Sequence, residues 1–543
     1  MRFKIIITTI MLMVILALAT YLRITNLPTN PTWYTDEGTH LSIAHHLLHG
    51  RVQYFAVTDS MLLVARPPLF HACLAIVSGI FGEGIATLRG FTAGLGVLST
   101  LLMFIVVSKS MIVHAPTTHE GKQKYSHPTH ESPLSIKWDL GVGFALWATF
   151  LYAVYPQAIL YTRFGFSYAL LTPMVIGIAY FLTRHIQTGR WNSLAWAGIL
   201  AGIGLLGDIM MGSIITVVGL IALFKSPKML IWLIPLMALP FGIYAGVNLI
   251  NHPSAFLFDL NFTLNRLGGI PIMRQLNTIA ENFTMLLSTD LWFPLGIAGI
   301  FLIHPLSLRV VSACLVLLPI MIIGRTVAMF HLSLYYMSPL FPLIILGIAS
   351  LTWQGGGRII HHSQIMFREM RFIQHLPNRL HLFLAGIITI SLIGAPLFFV
   401  MQHTINGINT RIQTAIDPFL VDSADGEAVI AYFQSQNTTD TLILASPSIG
   451  WALEIHTSAR VADWQMHVAY IGYDAIHLPH NVPHERYAFI PTLDHADYVV
   501  IDAIWRNWGN VHVPQAVVLY QTVVTEWELV YTAGSLEVYA RPN

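Results

Sequence analysis

Apolar runs long enough to cross a bilayer recur in this chain from Ile5 to Val400, and no water-exposed fold can cover so many. A helix needs about 20 apolar residues to span the hydrocarbon core. Such runs fall near 4–22, 86–108, 138–155, 165–183, 192–208, 209–225, 229–250, 289–304, 306–323, 333–352 and 381–401, which predicts about eleven transmembrane helices. Charged residues make up only 10% of the 543, against roughly a quarter in soluble domains, so lipid must cover much of the surface. The net charge of +1 leaves no strong overall electrostatic bias, so no nucleic-acid partner is expected. Cys73 and Cys314 both sit in apolar stretches and read as buried small hydrophobes, with no disulfide framework and no cysteine metal site.

Basic residues set the orientation. Arg2 and Lys4 precede the first span, and Lys109, Lys122, Lys124 and Lys137 fill the connection at 109–137. Arg184, Arg190, Lys225 and Lys228 lie in later connections, and Arg358, Arg368, Arg371 and Arg379 in the loop at 353–380. All of these face the cytoplasm if 23–85 is one long outer loop. The stretch at 68–82 is apolar but short for a span, and is expected to lie along the outer surface as a juxtamembrane helix. Ala17-Leu18-Ala19 resembles a signal-peptide cleavage site, yet the many spans that follow favour an uncleaved first helix. The expected protein is a multi-pass cell-membrane protein with a cytoplasmic N-terminus. Its transmembrane domain covers 1–401.

Residues 402–543 change character. Asp425–Gln436 reads as an amphipathic helix, and Thr441–Ala445, Asp497–Ala503, Val517–Val523 and Trp527–Tyr539 read as strands, the last folded at Ala533-Gly534-Ser535. A small extracytoplasmic α/β domain is expected, without a catalytic motif of its own. The segment at 114–134 is a polar linker. Its His114, His119, His127 and His130, with Glu120 and Glu131, match no strong zinc spacing.

Chemistry-bearing residues gather in the loops assigned to the outer side. The first holds Tyr34, Asp36, Glu37 and His40, then Arg66 and His71 around Pro67-Pro68. A second holds Tyr161, Arg163 and Tyr168, and a third Arg325, His331 and Tyr335. Paired carboxylates can do acid–base work or hold a metal, while an interfacial arginine can grip a phosphate. The plainer alternatives are a helix cap at Thr35 or Asp36, with Glu37 favouring the helix dipole, and a snorkelling Arg66.

The order Asp36-Glu37-Gly38, Leu47-Leu48-His49-Gly50, Arg66-Pro67-Pro68-Leu69, Phe81-Gly82 and Leu88-Arg89 resembles the polyprenyl-phosphate-dependent glycosyltransferases of the C-type fold. Protein O-mannosyltransferases and lipid A aminoarabinose transferases are members of that group. The likeness continues at Tyr161–Arg163, at Tyr168-Ala169-Leu170 and from Tyr335 to Pro342; beyond 350 it is one of architecture only. It implies transfer, usually inverting, of a sugar from a polyprenyl-phosphate donor to an extracytoplasmic acceptor: glycan, lipid or protein. It implies Asp36 as the base, with Glu37 positioning acceptor or metal. Arg66, Arg163 and Arg325 or His331 would then hold the donor phosphate. Tyr34, His40, His71, Tyr161, Tyr168 and Tyr335 would line the substrate pocket.

Two departures stand out. Tyr168 occupies a position where many members carry an acid, and Thr39-His40 replaces the family's common tyrosines. No cofactor is assigned, and with one acidic ligand fewer a divalent metal stays open. The competing reading is a membrane transporter of a lipid-linked or small polar substrate. Its best residue is Asp208, although Gly207-Asp208 also reads as a tight turn.

Overall fold

The computed structural model describes residues 2–58, 67–112, 133–267, 271–289, 291–324, 333–369, 378–412 and 417–542. Arg66, Arg325 and His331 lie outside these residues, as does most of the polar linker.

The helices run in the order α1 (Arg2–Ile24), α2 (Thr35–Leu48), α3 (Pro68–Phe81), α4 (Ile85–Ile112), α5 (Pro133–Val154), α6 (Pro156–Arg163), α7 (Tyr168–Thr188) and α8 (Trp191–Leu205). Next come α9 (Met211–Lys225), α10 (Leu230–Asn251), α11 (Pro253–Leu267), α12 (Ile272–Thr289), α13 (Trp292–Ile300), α14 (Leu306–Gly324), α15 (Phe341–Glu369) and α16 (Asn378–Asn409). Each apolar stretch named above overlaps one of them. Among the described residues, five helices are long and apolar enough to cross a membrane, or six if α5 and α6, bent by 55° at Tyr155-Pro156, form one span. The helices α3, α8 and α9 and residues 306–322 of α14 are apolar but shorter. The chain is a multi-pass membrane protein. Helix α10 turns Ile231, Trp232, Ile243 and Ile250 outward, as a lipid-facing helix does. Where helices cross closely the contact is glycine: a Cβ at Gly299 of α13 would lie 2.1 Å from the Gly347 carbonyl oxygen of α15.

Two buried arginines cap the ends of neighbouring helices. Arg23, in the last turn of α1, donates to the carbonyls of Ala153 (3.0 Å) and Tyr152 (3.4 Å) at the end of α5. Arg163, closing α6, donates to Leu22 (3.0 Å) at the end of α1 and to Thr25 (2.8 Å) just beyond it. Helix ends leave such carbonyls unpaired, and inside a membrane they must find donors.

After α16 the chain builds α17 (Ser423–Ser435), α18 (Pro447–His456), α19 (Trp464–Tyr470) and α20 (Pro514–Glu526) around one sheet. A short hairpin of β1 (Gln53–Tyr54) and β2 (Val57–Thr58) precedes it in the chain. The sheet has the order β4-β3-β5-β7-β6, made of β3 (Leu442–Ala445), β4 (Arg460–Asp463), β5 (Tyr498–Ile501), β6 (Glu528–Ala533) and β7 (Leu536–Ala540). Strand β3 runs parallel to β4 and β5, and the β6–β7 hairpin adds antiparallel. One expected strand is corrected: Val517–Val523 lies in α20. Pro514 starts that helix, and Ala516, Leu519 and Val523 are buried at helical spacing, so burial overrides the β preference of valine.

This sheet is seated on the α1–α4 region and shares one apolar core with it. Leu41, Ala44, Phe70 and Leu74 pack in the same cluster as Leu444, Trp451 and Val499. Trp33 and Val421 exchange backbone hydrogen bonds of 2.8 and 2.9 Å. Arg486 pairs with Asp259 of α11 at 3.1 Å, and Tyr54 donates to Asp463 at 3.1 Å. Helix α2 lies on α18 so closely that a Cβ at Gly38 would fall 1.7 Å from the Pro447 carbonyl oxygen.

Candidate active site

The site forms where the start of α2 meets the α6–α7 connection and a 3-10 turn at Ser333–Leu340. Tyr34 sits extended (φ −116°, ψ 149°) just before α2, and its N–H donates to Glu37 at 3.1 Å, which fixes the first turn. Asp36 and Glu37 both favour the positive end of the helix dipole. Beyond that their environments differ completely.

Glu37 is fully buried and fully used. Its Oε1 accepts from Arg89 Nε at 2.7 Å and from Gly165 N at 2.9 Å. Its Oε2 accepts from Arg89 Nη2 at 2.7 Å and from Tyr34 N. Those four donors fill a carboxylate's acceptor positions. Arg89 also donates to the carbonyls of Leu27 (3.0 Å) and Thr32 (3.0 Å) and to that of Pro31. Glu37 therefore locks α2 to α4 and to the α6–α7 connection, and offers no open oxygen to acceptor or metal. Arg163 departs from its expected role in the same way. Its side chain is wholly buried against the carbonyls of Leu22, Thr25 and Asn30, so it does not face a donor phosphate.

Asp36 is only half-buried. Asp36, Tyr34, Tyr168 and Tyr336 all lie near the Tyr335 hydroxyl. These rings form one aromatic floor. Tyr335 stacks on Phe166 at 4.6 Å and lies 5.4 Å from Tyr168, 6.4 Å from Tyr161 and 4.5 Å from Tyr336. Tyr34 meets Phe166 edge-on at 5.9 Å. Four of the expected pocket residues, Tyr34, Tyr161, Tyr168 and Tyr335, thus come together beside Asp36.

His40 and His71 do not join that floor through any of these ring contacts. They pair with each other at 2.9 Å, both buried, beside Phe70. With His71 Nδ1–H donating to the Pro67 carbonyl (3.3 Å), His71 Nε2 accepts from His40 Nδ1–H, so both rings can be neutral.

An apolar cleft of about 370 Å³ opens between Tyr155, Pro156, Gln157, Trp292, Phe399, Val400 and His403. Tyr155 meets Phe341 at 5.4 Å, and Phe341 lies 6.2 Å from Tyr161, so aromatic contacts run from the cleft to the floor. Among the described residues, the one group of three side chains suited to hold a metal is His45, His49 and Glu83, at the other end of α2. The sequence reading missed what Arg89 does. The available signal was an arginine within the first turns of an apolar span, where an unpaired charge is not tolerated.

Among solved structures, ArnT from Cupriavidus metallidurans, bound to undecaprenyl phosphate, superposes with a TM-score of 0.59 over 97% of both chains at 13% identity. The chain has the C-type glycosyltransferase fold. The apo form of ArnT matches equally, at 0.59. The Saccharomyces cerevisiae Pmt1-Pmt2 O-mannosyltransferase complex, bound to its sugar donor, covers 46% of this chain and 34% of its own at a TM-score of 0.32 and 17% identity. No family model matches the chain, and no curated protein does.

Proposed function

We propose that this protein transfers a sugar from a polyprenyl-phosphate donor to an acceptor on the extracytoplasmic side of the membrane, with Asp36 as the general base. The observation that carries this reading is the contrast between neighbouring carboxylates. Glu37 is fully buried in its ion pair with Arg89, while Asp36 is half-buried beside a floor of tyrosines.

The proposed step is an inverting displacement. Asp36 takes the acceptor hydroxyl's proton as its oxygen bonds to the anomeric carbon. The bond from that carbon to the phosphate oxygen breaks, and polyprenyl phosphate leaves with the electron pair. Arg66, Arg325 and His331 remain the candidates for holding the phosphate as its charge grows. Tyr34, Tyr161, Tyr168 and Tyr335 would hold the sugar by stacking and hydroxyl contacts. A lipid tail needs an apolar seat, and the cleft at Tyr155 and Trp292 has that chemistry. The undecaprenyl phosphate bound to ArnT supports this donor class.

The test is a transfer assay with radiolabelled polyprenyl-phosphate sugars and host membranes. Wild type is expected to move label, and Asp36→Asn to lose about 10²–10⁴ of the rate. Equal rates would remove Asp36 as the base. No transfer from any donor, by protein shown to be folded, would favour the transporter reading.

A further inference from the structure

We infer that His45, His49 and Glu83 form a divalent-metal site of zinc-like preference that ties the last turn of α2 to the α3–α4 turn. One ligand atom from each residue lies within 4.8 Å of those of the other two. In a tetrahedral zinc site of nitrogen and oxygen donors, ligand atoms stand about 3.3 Å apart. No pair of these atoms therefore needs to close by more than about 1.5 Å, and each sits at the end of a rotatable side chain.

The surroundings already aim these groups. His45 and His49 are one helical turn apart, with ring centroids at 4.6 Å. The Nδ1–H of His49 donates to the His45 carbonyl at 2.8 Å, which leaves its Nε2 as the ligand nitrogen. That is the kind of contact that orients a metal-binding histidine. His45 Nδ1 meets Glu83 Oε2 at 2.5 Å. Glu83 stands between Gly82 (φ 92°) and Gly84 (φ 135°), backbone conformations that other residues resist, so this turn is built to present the carboxylate to α2. His46 points the other way and meets Glu454 of α18 at 2.9 Å, which fixes the rotation of the helix.

Two imidazoles and one carboxylate make a borderline donor set. It suits zinc and its transition-metal neighbours rather than magnesium or calcium, which prefer oxygen shells. Three protein ligands leave a fourth position for water. A cation there also complements the negative end of the helix dipole. The rise of an α-helix puts His45 about 13 Å along the axis from Asp36, so the site clamps the helix rather than taking part in chemistry at Asp36. This inference does not depend on the transferase reading.

The experiment uses the full chain in detergent, stripped with a chelator, exposed to Zn²⁺ and desalted, with bound metal counted by mass spectrometry. Because the chain has 25 histidines, the readout is the difference between variants. His49 is exposed, so His49→Ala tests the site without opening the core. Wild type is expected to keep one zinc more than His49→Ala, and Glu83→Gln to weaken that site about tenfold or more. Zn²⁺ should raise the unfolding temperature of wild type but not of either variant, and Mg²⁺ should raise none of them. His114→Ala/His119→Ala, in the polar linker, should keep the wild-type zinc content. Equal zinc in wild type and His49→Ala, or no zinc in wild type, would overturn the assignment.

Discussion

Glu37 and Arg89 meet across the α2–α4 interface as a two-pronged ion pair, Nε to Oε1 and Nη2 to Oε2 each at 2.7 Å, with both side chains fully out of solvent. Removing one charge from such a pair strands the other. Glu37→Gln should therefore cost about 3–5 kcal/mol of stability. Asp36→Asn, one residue earlier and half-buried, should stay within about 0.5 kcal/mol of wild type. Thermal unfolding in detergent, run beside the transfer assay, separates the two. A stable Glu37→Gln protein without activity would restore Glu37 to the chemistry.

Gly38 tests whether the α2–α18 contact matters. Its missing side chain lets the Pro447 carbonyl approach, and a Cβ there would meet that oxygen at 1.7 Å, a backbone atom with no rotamer to change. Gly38→Ala must push α2 and α18 apart. It should destabilise by about 1–3 kcal/mol and slow transfer as Asp36 moves. Gly90→Ala, in α4 with nothing within 4 Å of the added carbon, should be neutral or gain up to about 1 kcal/mol. Equal effects of the two substitutions on unfolding temperature would show that the close contact plays no part.

What the sequence carried, and what it did not, follows from the range of each interaction. Hydropathy and turn chemistry act over a few residues, so the apolar helices, the helix at Pro68–Phe81 and the β6–β7 hairpin at Gly534 were legible. The aromatic floor was legible as a set of residue types. The partners of the buried arginines were not: Arg163 reaches Leu22 across 141 positions, and Arg89 reaches Glu37 across 52. Arg163 in a loop reads as a ligand grip, and only the folded contacts show carbonyls taking its donors. His45 and His49 share one helix, but Glu83 joins His45 from 38 residues away through a glycine turn. The valines of α20 misled for a related reason, since their helical burial depends on the sheet they cover.

Acid–base behaviour in the sheet region yields a prediction with opposite signs at two residues. Burial pushes the Asp463 carboxyl up to about 7, against the hydrogen bonds from Gln465 and Tyr54. Burial pushes the His467 ring down to about 4, where its Nδ1 accepts from Leu493 N at 3.1 Å. An unfolded aspartate ionises near 4 while the folded one holds its proton, so Asp463 erodes stability as pH rises from about 4 to 7. An unfolded histidine takes a proton near 6.5 while the folded one refuses it, so His467 erodes stability as pH falls from about 6.5 to 4. Relative to wild type, Asp463→Asn should gain stability as pH rises through this window, by at most on the order of 4 kcal/mol. His467→Gln should gain as pH falls. Urea unfolding followed at several pH values reads both slopes, and slopes of the same sign would refute the assignment.

Tyr335 sits where the floor and the proposed base meet, and its ring and hydroxyl can be tested separately. The ring stacks on Phe166 at 4.6 Å and an interplanar angle of 23°, a contact that phenylalanine preserves. The hydroxyl lies near Asp36. Tyr335→Phe should leave the unfolding temperature almost unchanged. If the hydroxyl touches the acceptor or the reacting sugar, kcat/KM should fall about five- to tenfold, the effect of one hydrogen bond of about 1 kcal/mol. Tyr335→Ala removes the stacking as well and should lower both stability and kcat/KM further. A Tyr335→Phe enzyme with wild-type kcat/KM would mean that the hydroxyl points away from the reaction. The floor would then serve only as an apolar wall beside Asp36.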